Sequence, residues 1–293
     1  MKRLIEKAEI LIEALPYIRK FYGKTFVIKY GGAAQTRDDL KDAFAQDVVL
    51  LNYIGINTVI VHGGGPKISE MMSKMGKTPT FVHGQRVTDE ETIDIVEMVL
   101  GGLVNKEIVT LINRHGGKAV GLTGKDAGLI RASRKLIKRP SPETGTDEII
   151  DLGLVGEVVE VVPDVLVGLE RNGFIPVVAP VGAGAEQETL NINADYVAAS
   201  LAAALRAEKL ILMTDVPGII DGEGRTLSSI RKDDIEELLD EGTISGGMIP
   251  KVQACIDVLE SGVGKTHIVD GRVPHCLLLE IFTEEGIGTE IVK

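Results

Sequence analysis

Short apolar segments that end in glycine or polar residues alternate with helical segments along most of this chain. The apolar segments are rich in Val, Ile and Leu, which is typical of strands buried on both faces. Strands separated by helices predict an α/β fold with a central, mainly parallel sheet sandwiched between helices. The predicted strands cover residues 25–29, 58–61, 119–122, 174–179, 209–213 and 267–269. Thr88 and Glu91 have the spacing of a capping box, which predicts that one of the helices begins at Thr88.

The composition is compatible with such a fold. The 293 residues are enough for one large domain or two fused lobes with a substantial core. Aromatic residues make up only 4% of the chain and Trp is absent, so the core must be mainly aliphatic. The segment 129–162 departs from the alternation of strands and helices. Its mixture of basic, proline-containing and β-rich parts predicts hairpins or an excursion of the chain over the ligand-binding site.

The charge and the cysteines exclude several classes of protein. A net charge of −11 argues against nucleic-acid binding, which usually needs a basic surface. Two cysteines, Cys255 and Cys276, form neither a disulfide framework nor a zinc site. The first residues lack the apolar stretch of a signal peptide, and no segment approaches the roughly 18 apolar residues of a membrane span. We expect a cytoplasmic protein without a membrane partner, although a trimmed organellar form would look the same.

The first residues predict a helix over 2–22, outside the alternating pattern. Pro16 removes a backbone hydrogen bond and should kink this helix, and Gly23 should end it. One face of this helix carries an apolar stripe formed by Leu4, Ala8, Leu11, Leu15 and Ile18. The stripe has two interpretations: the helix packs on its own domain, which the spacing alone favours, or it is an oligomerisation arm.

Three strand ends carry residues that suit anion binding, and ligands of open parallel sheets bind beyond the carboxyl ends of the strands. Lys29-Tyr30-Gly31-Gly32 places a lysine before two glycines, although this segment taken alone is better explained as a solvated strand-end lysine. His62-Gly63-Gly64-Gly65-Pro66 exposes successive amides where a helix begins, and this predicts an anion cradle. The third strand end is Thr214-Asp215-Val216-Pro217-Gly218.

Two further segments contribute to the prediction. Ser245-Gly246-Gly247-Met248-Ile249-Pro250-Lys251 forms a second glycine-rich helix start, and Asn191-Ile192-Asn193-Ala194-Asp195 has more polar side chains than a helix cap needs. Gly264-Lys265-Thr266 is not a Walker A loop, because Leu259 replaces its earlier glycine and a strand follows. No Ser-His-Asp set or metal-ligand spacing is identifiable, so we expect no metal site built by the protein alone. Two lysines and two glycine-rich helix starts suit phosphoryl transfer, which depends on aligning anions and neutralising charge.

These motifs, together with Arg86-Val87-Thr88, occur in the order that is typical of the amino acid kinase family, which the chain resembles from about Thr25 onwards. Within that family they are most similar to the members that phosphorylate N-acetyl-L-glutamate in arginine biosynthesis. The resemblance implies transfer of the ATP γ-phosphoryl to the side-chain carboxylate of N-acetyl-L-glutamate. It also implies two lobes, residues 24–205 for acetylglutamate and 206–293 for ATP. His83 departs from the family pattern, which has Asn before Gly84.

The resemblance further implies roles for single residues. Lys29 and Lys251 would neutralise the phosphoryl group in the transition state, and Asp195 would hold the two lysines in position. The residues that would bind acetylglutamate are Gly63, Gly64, Gly65, Arg86 and Asn191. With Mg²⁺ carried by the nucleotide, ATP would be bound by Thr214, Asp215, Val216, Gly218, Ile219, Thr243, Ser245 and Gly247.

The helix at residues 1–23 and the C-terminal residues resemble the arginine-inhibited members, hexamers whose dimers are linked by such a helix. The resemblance therefore implies a homohexamer, or at least a dimer, with arginine as an inhibitor. It leaves open whether a nitrogen-signalling protein relieves the inhibition, as in some relatives. The residues that would bind arginine are His267, Glu280, Gly286 and Gly288.

Two alternatives stay open at this point. One is an enzyme for another acidic substrate, such as an aminoadipate derivative, although Gly65 and the N-terminal helix speak against it. The other is a non-catalytic arginine or nucleotide sensor with the same fold. The joint presence of Lys29, Asp195 and Lys251 argues against a sensor, because a relative without activity is expected to have lost at least one of them.

Overall fold

The computed structural model describes residues 1–82, 84–140 and 147–293, so His83 and the turn at 141–146 lie outside the described residues. None of the helices in these ranges combines the length and the apolar character that crossing a membrane requires. The helices are α1 Lys2–Phe21, α2 Asp38–Tyr53, α3 Gly65–Lys74, α4 Glu90–Glu97, α5 Asn105–Arg114, α6 Asp164–Arg171, α7 Ala194–Ala204, α8 Ile235–Asp240, α9 Ile249–Glu260 and α10 Cys276–Phe282. The strands are β1 Thr25–Tyr30, β2 Asn57–His62, β3 Phe81–Val82, β4 Gln85–Arg86, β5 Ala119–Thr123, β6 Ile130–Pro140, β7 Asp147–Val161, β8 Ile175–Ala179, β9 Val181–Ala183, β10 Thr189–Ile192, β11 Lys209–Thr214, β12 Ser229–Arg231, β13 Lys265–Asp270 and β14 Thr289–Val292.

Eight strands form one sheet in the order β12-β14-β13-β11-β1-β2-β8-β5. Neighbouring strands run parallel, with β13 and β14 as the antiparallel pair. All six predicted strands lie in this sheet, within two residues of their expected ends. The predicted α/β fold with a mainly parallel central sheet is therefore confirmed. The sheet crosses the expected lobe boundary between residues 205 and 206, since β1 pairs directly with β11.

The core lies on both faces of the sheet, because successive side chains of a strand point to opposite faces. On β1, Phe26 and Ile28 pack in one cluster with α2, α5 and α10, whereas Val27 packs in another with α7 and α9. This two-sided burial explains why the strands are continuous apolar runs. Both cysteines are buried free thiols within these clusters, as expected from their number.

The segment 129–162 contains the predicted hairpin. Its strands β6 and β7 pair antiparallel, and together with β9 and β10 they form a second, closed sheet. Asn191 in β10 pairs with Val155 in β7, which places the hairpin beside the strand that leads into α7. The hairpin thereby becomes one wall of the cavity described below.

Helix α1 extends from the body of the protein, which corrects the interpretation that the spacing favoured. Leu11 is 72% exposed, and the helix continues through Pro16 to the buried Phe21. Near its C-terminal end Tyr17 packs edge to face on Phe282 of α10. The spacing correctly marks an apolar stripe on α1, but it cannot show whether the same chain covers that stripe.

The start of α4 differs from the expected capping box. The expectation that Thr88 caps this helix with Glu91 is wrong, because Asp89 is the N-cap and accepts a hydrogen bond from the Thr92 amide at 2.8 Å. The backbone of Thr88 pairs with the hairpin instead, and its hydroxyl donates to the carbonyl of Arg86 at 2.9 Å. Pairing with a distant strand thus moves the cap by one residue.

Candidate active site

A cavity of about 500 Å³ lies beyond the ends of β2 and β10, beside the β6–β7 hairpin. Its walls combine backbone of the three-glycine loop after β2 with side chains from β4, β7, β10 and α7. The structure therefore brings together motifs that are widely separated in the sequence. All the residues predicted to bind the acidic substrate line this cavity: Gly63, Gly64, Gly65, Arg86 and Asn191.

The three-glycine loop lies where β2 passes into α3, and Gly64 is the N-cap residue of α3. A Cβ atom on Gly64 would lie 2.5 Å from Cδ2 of Leu100, so a larger residue would displace part of the cavity wall. Leu100 belongs to a π-helical segment, Met98–Val104, and such segments are frequent at functional sites. The first amides of α3 and the positive end of its dipole suit an anionic ligand.

Arg86 is held firmly in the wall of the cavity. Its Nη2 donates to the Gly65 carbonyl at 2.9 Å and to Ser69 Oγ at 2.7 Å, and the guanidinium lies 4.7 Å from the centre of the Phe81 ring. Burial lowers the pKa of Arg86 from its ordinary value, yet a guanidinium stays charged at neutral pH. A fixed cation beside backbone amides can bind a carboxylate. Asn191 completes this wall, and its amide nitrogen lies 3.4 Å from the Thr88 hydroxyl.

Asp195 joins two lysines that are far apart in the sequence. Its Oδ1 lies 3.2 Å from Nζ of Lys29, and its Oδ2 lies 2.7 Å from Nζ of Lys251. Lys29 comes from β1, Asp195 from the first turn of α7, and Lys251 from the first turn of α9. The three side chains are almost fully buried, with exposures of 11%, 6% and 17% in that order.

The charges of this cluster determine what it can do chemically. Burial alone would raise the pKa of Asp195, but Lys29 and Lys251 hold it below its ordinary value. Burial lowers the pKa of Lys29, and Asp195 opposes that effect. Asp195 is therefore an ionised carboxylate whose two oxygens face ammonium groups, so it is not free to accept a proton. The cluster has one positive charge in excess, which suits the stabilisation of a phosphoryl group.

The residues predicted for ATP occupy loops outside this cavity. The carboxylate of Asp215 accepts a hydrogen bond from the Ala33 amide, and the Ile219 amide donates to Thr289 Oγ1 at 2.8 Å. The side chain of Ile219 is buried in the core, so only its backbone can face a ligand. Thr214 is the last residue of β11, and the loop that follows contains Asp215, Val216, Gly218 and Ile219. The second loop, before α9, contains Thr243, Ser245 and Gly247.

The residues predicted for arginine also lie together. Oε1 of Glu280 is 2.6 Å from His267 Nδ1, and Oε2 accepts from the Gly288 amide at 3.0 Å. Gly286 has a positive φ of 63° and lies against the same carboxylate. Burial alone would raise the pKa of Glu280, but His267 and the backbone amides hold it below its ordinary value. Lys209, which the sequence motifs did not indicate, lies 2.9 Å from His267 Nε2.

Comparison with known proteins assigns the chain to a family. The amino acid kinase family matches residues 24–270, which is most of the chain. The chain belongs to the amino acid kinase family. Among its relatives in this family, a protein of Geotalea uraniireducens (strain Rf4) named acetylglutamate kinase is 61% identical over 292 residues, with 100% of both chains covered. A protein of the same name from Persephonella marina (strain DSM 14350 / EX-H1) is 59% identical over 299 residues, again with 100% of both covered.

Solved structures support the amino acid kinase fold. N-acetylglutamate synthase from Neisseria gonorrhoeae, in complex with coenzyme A and N-acetyl-glutamate, matches with a TM-score of 0.83 and 26% identity. The match covers 98% of this chain and 63% of that protein. Carbamate kinase from Giardia matches with a TM-score of 0.65 and 17% identity over 92% of this chain and 99% of that one, which shows a shared fold alone.

Several cavity residues of this amino acid kinase were not indicated by any motif. Lys135, Glu157 and Tyr196 line the cavity, and Lys135 Nζ lies 5.3 Å from the centre of the Tyr196 ring. The positions of Lys135 in β6 and Glu157 in β7 depend on how the hairpin folds back, which single-strand patterns do not specify. Lys209 could have been found, because a lysine at the start of an otherwise apolar buried strand is unusual.

Proposed function

We propose that this amino acid kinase transfers the γ-phosphoryl of ATP to the side-chain carboxylate of N-acetyl-L-glutamate. One observation carries the proposal: a single carboxylate, Asp195, joins Lys29 and Lys251 next to a cavity that contains an anion cradle and the fixed guanidinium of Arg86. Full-length relatives at about 60% identity are named for this activity, which supports the substrate assignment.

The reaction needs no general base, because the acceptor is already ionised at neutral pH. A carboxylate oxygen of the substrate attacks the γ-phosphorus, a new P–O bond forms, and the bond from the γ-phosphorus to the β,γ-bridging oxygen breaks. ADP leaves with the electron pair, and the product is an acyl phosphate. Because no proton has to be removed in this reaction, it is consistent with a site in which the buried carboxylate, Asp195, serves only to hold cations.

The two lysines supply the electrostatic stabilisation. Charge shifts onto the β,γ-bridging oxygen and spreads over the phosphoryl oxygens as transfer proceeds. We assign Lys29 to the N-terminal lobe side and Lys251 to the nucleotide side of the phosphoryl group, with Asp195 keeping their spacing fixed. Cations that are already in place cost little reorganisation during the reaction.

Arg86 and Asn191 would hold the substrate in the cavity. The guanidinium can form paired hydrogen bonds with the α-carboxylate, and the Asn191 side chain can bind the acetylamino group. The amides of Gly64 and Gly65 would then meet the reacting end of the molecule. A volume of about 500 Å³ accommodates a small amino-acid derivative together with the transferring phosphoryl.

The nucleotide would bind to the C-terminal lobe, residues 206–293, against the loops after β11 and before α9. Acetylglutamate would bind to the N-terminal lobe, residues 24–205. Mg²⁺ would arrive with the nucleotide. No cluster of three or more His, Cys, Asp or Glu residues able to hold a metal occurs in the described ranges, and the Asp215 carboxylate is engaged by a backbone amide.

The test is ATP consumption by the purified protein with Mg²⁺ and N-acetylglutamate, glutamate, aspartate or N-acetylaminoadipate. We expect a strong preference for N-acetylglutamate. Lys29→Ala should lower kcat much more than it changes KM, whereas Arg86→Ala should mainly raise the KM for acetylglutamate. Lys24→Ala is a matched control, since that lysine is half exposed and pairs with Glu208. Turnover with another acceptor alone would overturn the substrate assignment, and silence with all four would favour a sensor.

We also propose that α1 is an arm that links dimers into a hexamer. We propose further that arginine inhibits the enzyme at the site formed by His267, Glu280, Gly286 and Gly288. The exposed apolar side chains of α1, such as Leu11, support the first proposal. The second is supported by a buried carboxylate beside the end of α1, since Lys209 contacts both His267 and the Phe21 ring.

Removing residues 1–14 should lower the oligomeric state to a dimer while keeping basal kcat. Light scattering measures the first effect and initial rates the second. Arginine at millimolar concentration should inhibit the full chain at subsaturating acetylglutamate, and Glu280→Gln should weaken that inhibition. An unchanged particle mass would reject the arm, and activity indifferent to arginine would reject the inhibitory site.

A further inference from the structure

His62 ends β2 directly before the three glycines, and its imidazole is fully buried. Nε2 lies 3.1 Å from Nδ2 of Asn105, and Nδ1 lies 3.0 Å from the carbonyl oxygen of Gly63. Both ring nitrogens thus face protein groups, and the side chain is absent from the cavity lining. His62 is therefore not placed to exchange protons with a substrate, although it touches the loop that forms the anion cradle.

The surroundings of Asn105 determine which nitrogen of His62 carries the proton. Nδ2 of Asn105 lies 2.9 Å from the Val177 carbonyl and 3.3 Å from the Leu122 carbonyl, while its Oδ1 accepts from Lys106 Nζ at 3.1 Å. Carbonyl oxygens require a donor, so the NH₂ group must face this side. An amide NH₂ group cannot accept a hydrogen bond. The two N–H bonds of Asn105 Nδ2 are shared among three acceptors, of which the Leu122 carbonyl is the most distant, and Nε2 of His62 is one of them. Nδ1 of His62 therefore carries the proton.

The ring is neutral under ordinary conditions. Burial lowers the pKa of His62 to about 4, and the charge of Lys106 acts in the same direction. A neutral imidazole has one donor and one acceptor, and both are used here. The Nδ1–H group consequently donates to the carbonyl of Gly63 across the whole range of physiological pH.

This contact completes the set of hydrogen bonds that hold the carbonyls of residues 63–65. His62 Nδ1 at 3.0 Å and, at the longer distance of 3.4 Å, Gln35 Nε2 hold the first. The Ile68 amide holds the second at 3.0 Å, and Arg86 Nη2 holds the third at 2.9 Å. In a planar trans peptide, the C=O group and the following N–H group point in opposite directions. The carbonyl that His62 binds belongs to the same peptide plane as the Gly64 amide. Holding that carbonyl against the buried ring turns the Gly64 N–H to the other side, where the cavity lies.

We infer that His62, with its tautomer set by Asn105, is a positioning residue that aims the Gly64 amide at the oxygens of the phosphoryl group during transfer. The inference rests on the proposed function. A preorganised donor of this kind stabilises the transition state more than the bound substrate. Loss of the contact should therefore lower kcat, while Arg86 continues to bind the substrate and the KM for acetylglutamate changes little.

Two substitutions separate the contacts of the ring. The side-chain nitrogen of His62→Asn occupies the position of Nδ1 and can still donate to Gly63, but it loses the contact with Asn105. The amide of His62→Gln reaches the position of Nε2 and keeps the contact with Asn105, but it loses the donor to Gly63. We expect His62→Asn to keep kcat within about threefold of wild type and His62→Gln to lose about tenfold to a hundredfold. His115→Gln, at the part-exposed end of α5, is the matched control and should leave kcat unchanged.

The tautomer can be read in the unmodified protein from long-range ¹H–¹⁵N correlation spectra of the imidazole rings, with His62→Asn assigning the signal. A proton on Nδ1 of a neutral His62 at pH 7, together with the expected order of kcat values, supports the inference. A proton on Nε2, an imidazolium, or equal kcat losses in the two folded variants overturns it. If neither variant folds, the wild-type spectrum alone shows whether Nδ1 of His62 carries the proton that the contact with Gly63 requires. Absence of acetylglutamate turnover in wild type would instead reject the proposed function, because the spectrum does not depend on activity.

Discussion

Replacing Asp195 by Asn should uncouple the two lysines and leave their charges buried without a counterion. At an effective dielectric constant of about 20, charges separated by 3.2 Å attract by roughly 5 kcal/mol and charges separated by 2.7 Å by roughly 6 kcal/mol. Desolvation offsets most of this gross attraction. Removal of one partner from a buried ion pair typically costs about 3–5 kcal/mol, and we expect Asp195→Asn to lie in that range. The pKa of Lys29 should fall further, because Asp195 opposes the effect of burial.

The assay is urea unfolding of wild type, Asp195→Asn, Lys251→Met and the double variant, combined with kcat measurements. Without Asp195 the two ammonium groups repel, so removing the charge of Lys251 should relieve part of the damage. The double variant should then be more stable than the sum of the single effects by about 1–3 kcal/mol. All three variants should lose at least about a hundredfold in kcat.

Glu70→Gln is the control for the charge change. Glu70 also pairs with two lysines, Lys67 at 3.0 Å and Lys74 at 2.7 Å, but on the exposed surface of α3. Its removal should leave the urea midpoint close to that of wild type. Additive effects of Asp195→Asn and Lys251→Met, or a loss no larger than that of Glu70→Gln, would refute the argument that one carboxylate holds both lysines.

Three further predictions test other parts of the structure. Gly64→Ala should lower kcat because its Cβ meets Leu100, and adding Leu100→Ala should restore part of the activity in the same rate assay; no recovery would place the problem in the backbone. Burial raises the pKa of Glu170 to about 6, so its contribution to stability is present below about pH 4.5 and is lost as the pH rises through 6. Relative to Glu170→Gln, wild type should therefore lose about 2 kcal/mol of unfolding free energy between pH 4.5 and pH 7 in denaturation curves, and parallel profiles would contradict this. Gly288→Ala should destabilise the protein strongly, because a Cβ there meets the backbone of β13, whereas Gly222→Ala has open space and should leave the thermal midpoint nearly unchanged.

The strand–helix alternation was sufficient to predict the fold class and the approximate bounds of six strands. Those features depend on hydrophobic periodicity and glycine placement, which are local properties of the chain. The family resemblance then marked the cavity residues, since backbone approach to an anion needs glycine and carboxylate recognition suits arginine. The start of α4 shows the limit of local reasoning. Thr88 has a side chain that suits an N-cap, but its backbone pairs with the hairpin, so Asp89 caps the helix instead.

The exposure of α1 illustrates a second limit. An apolar stripe has the same appearance whether it packs on its own chain or on another, so its partner cannot be read from spacing. The structure shows Leu11 in solvent and Phe21 in the core of the same helix.

An α/β sheet with lysines and glycines at its strand ends could be predicted from the sequence, because composition and periodicity act over a few residues. Three contacts required the folded chain: Asp195 lies between Lys29 and Lys251, Lys135 lines the cavity, and His62 lies between Asn105 and the Gly63 carbonyl. Those relations depend on the order in which the strands lie side by side. That order arises from long-range packing, and the same local patterns are compatible with several such orders.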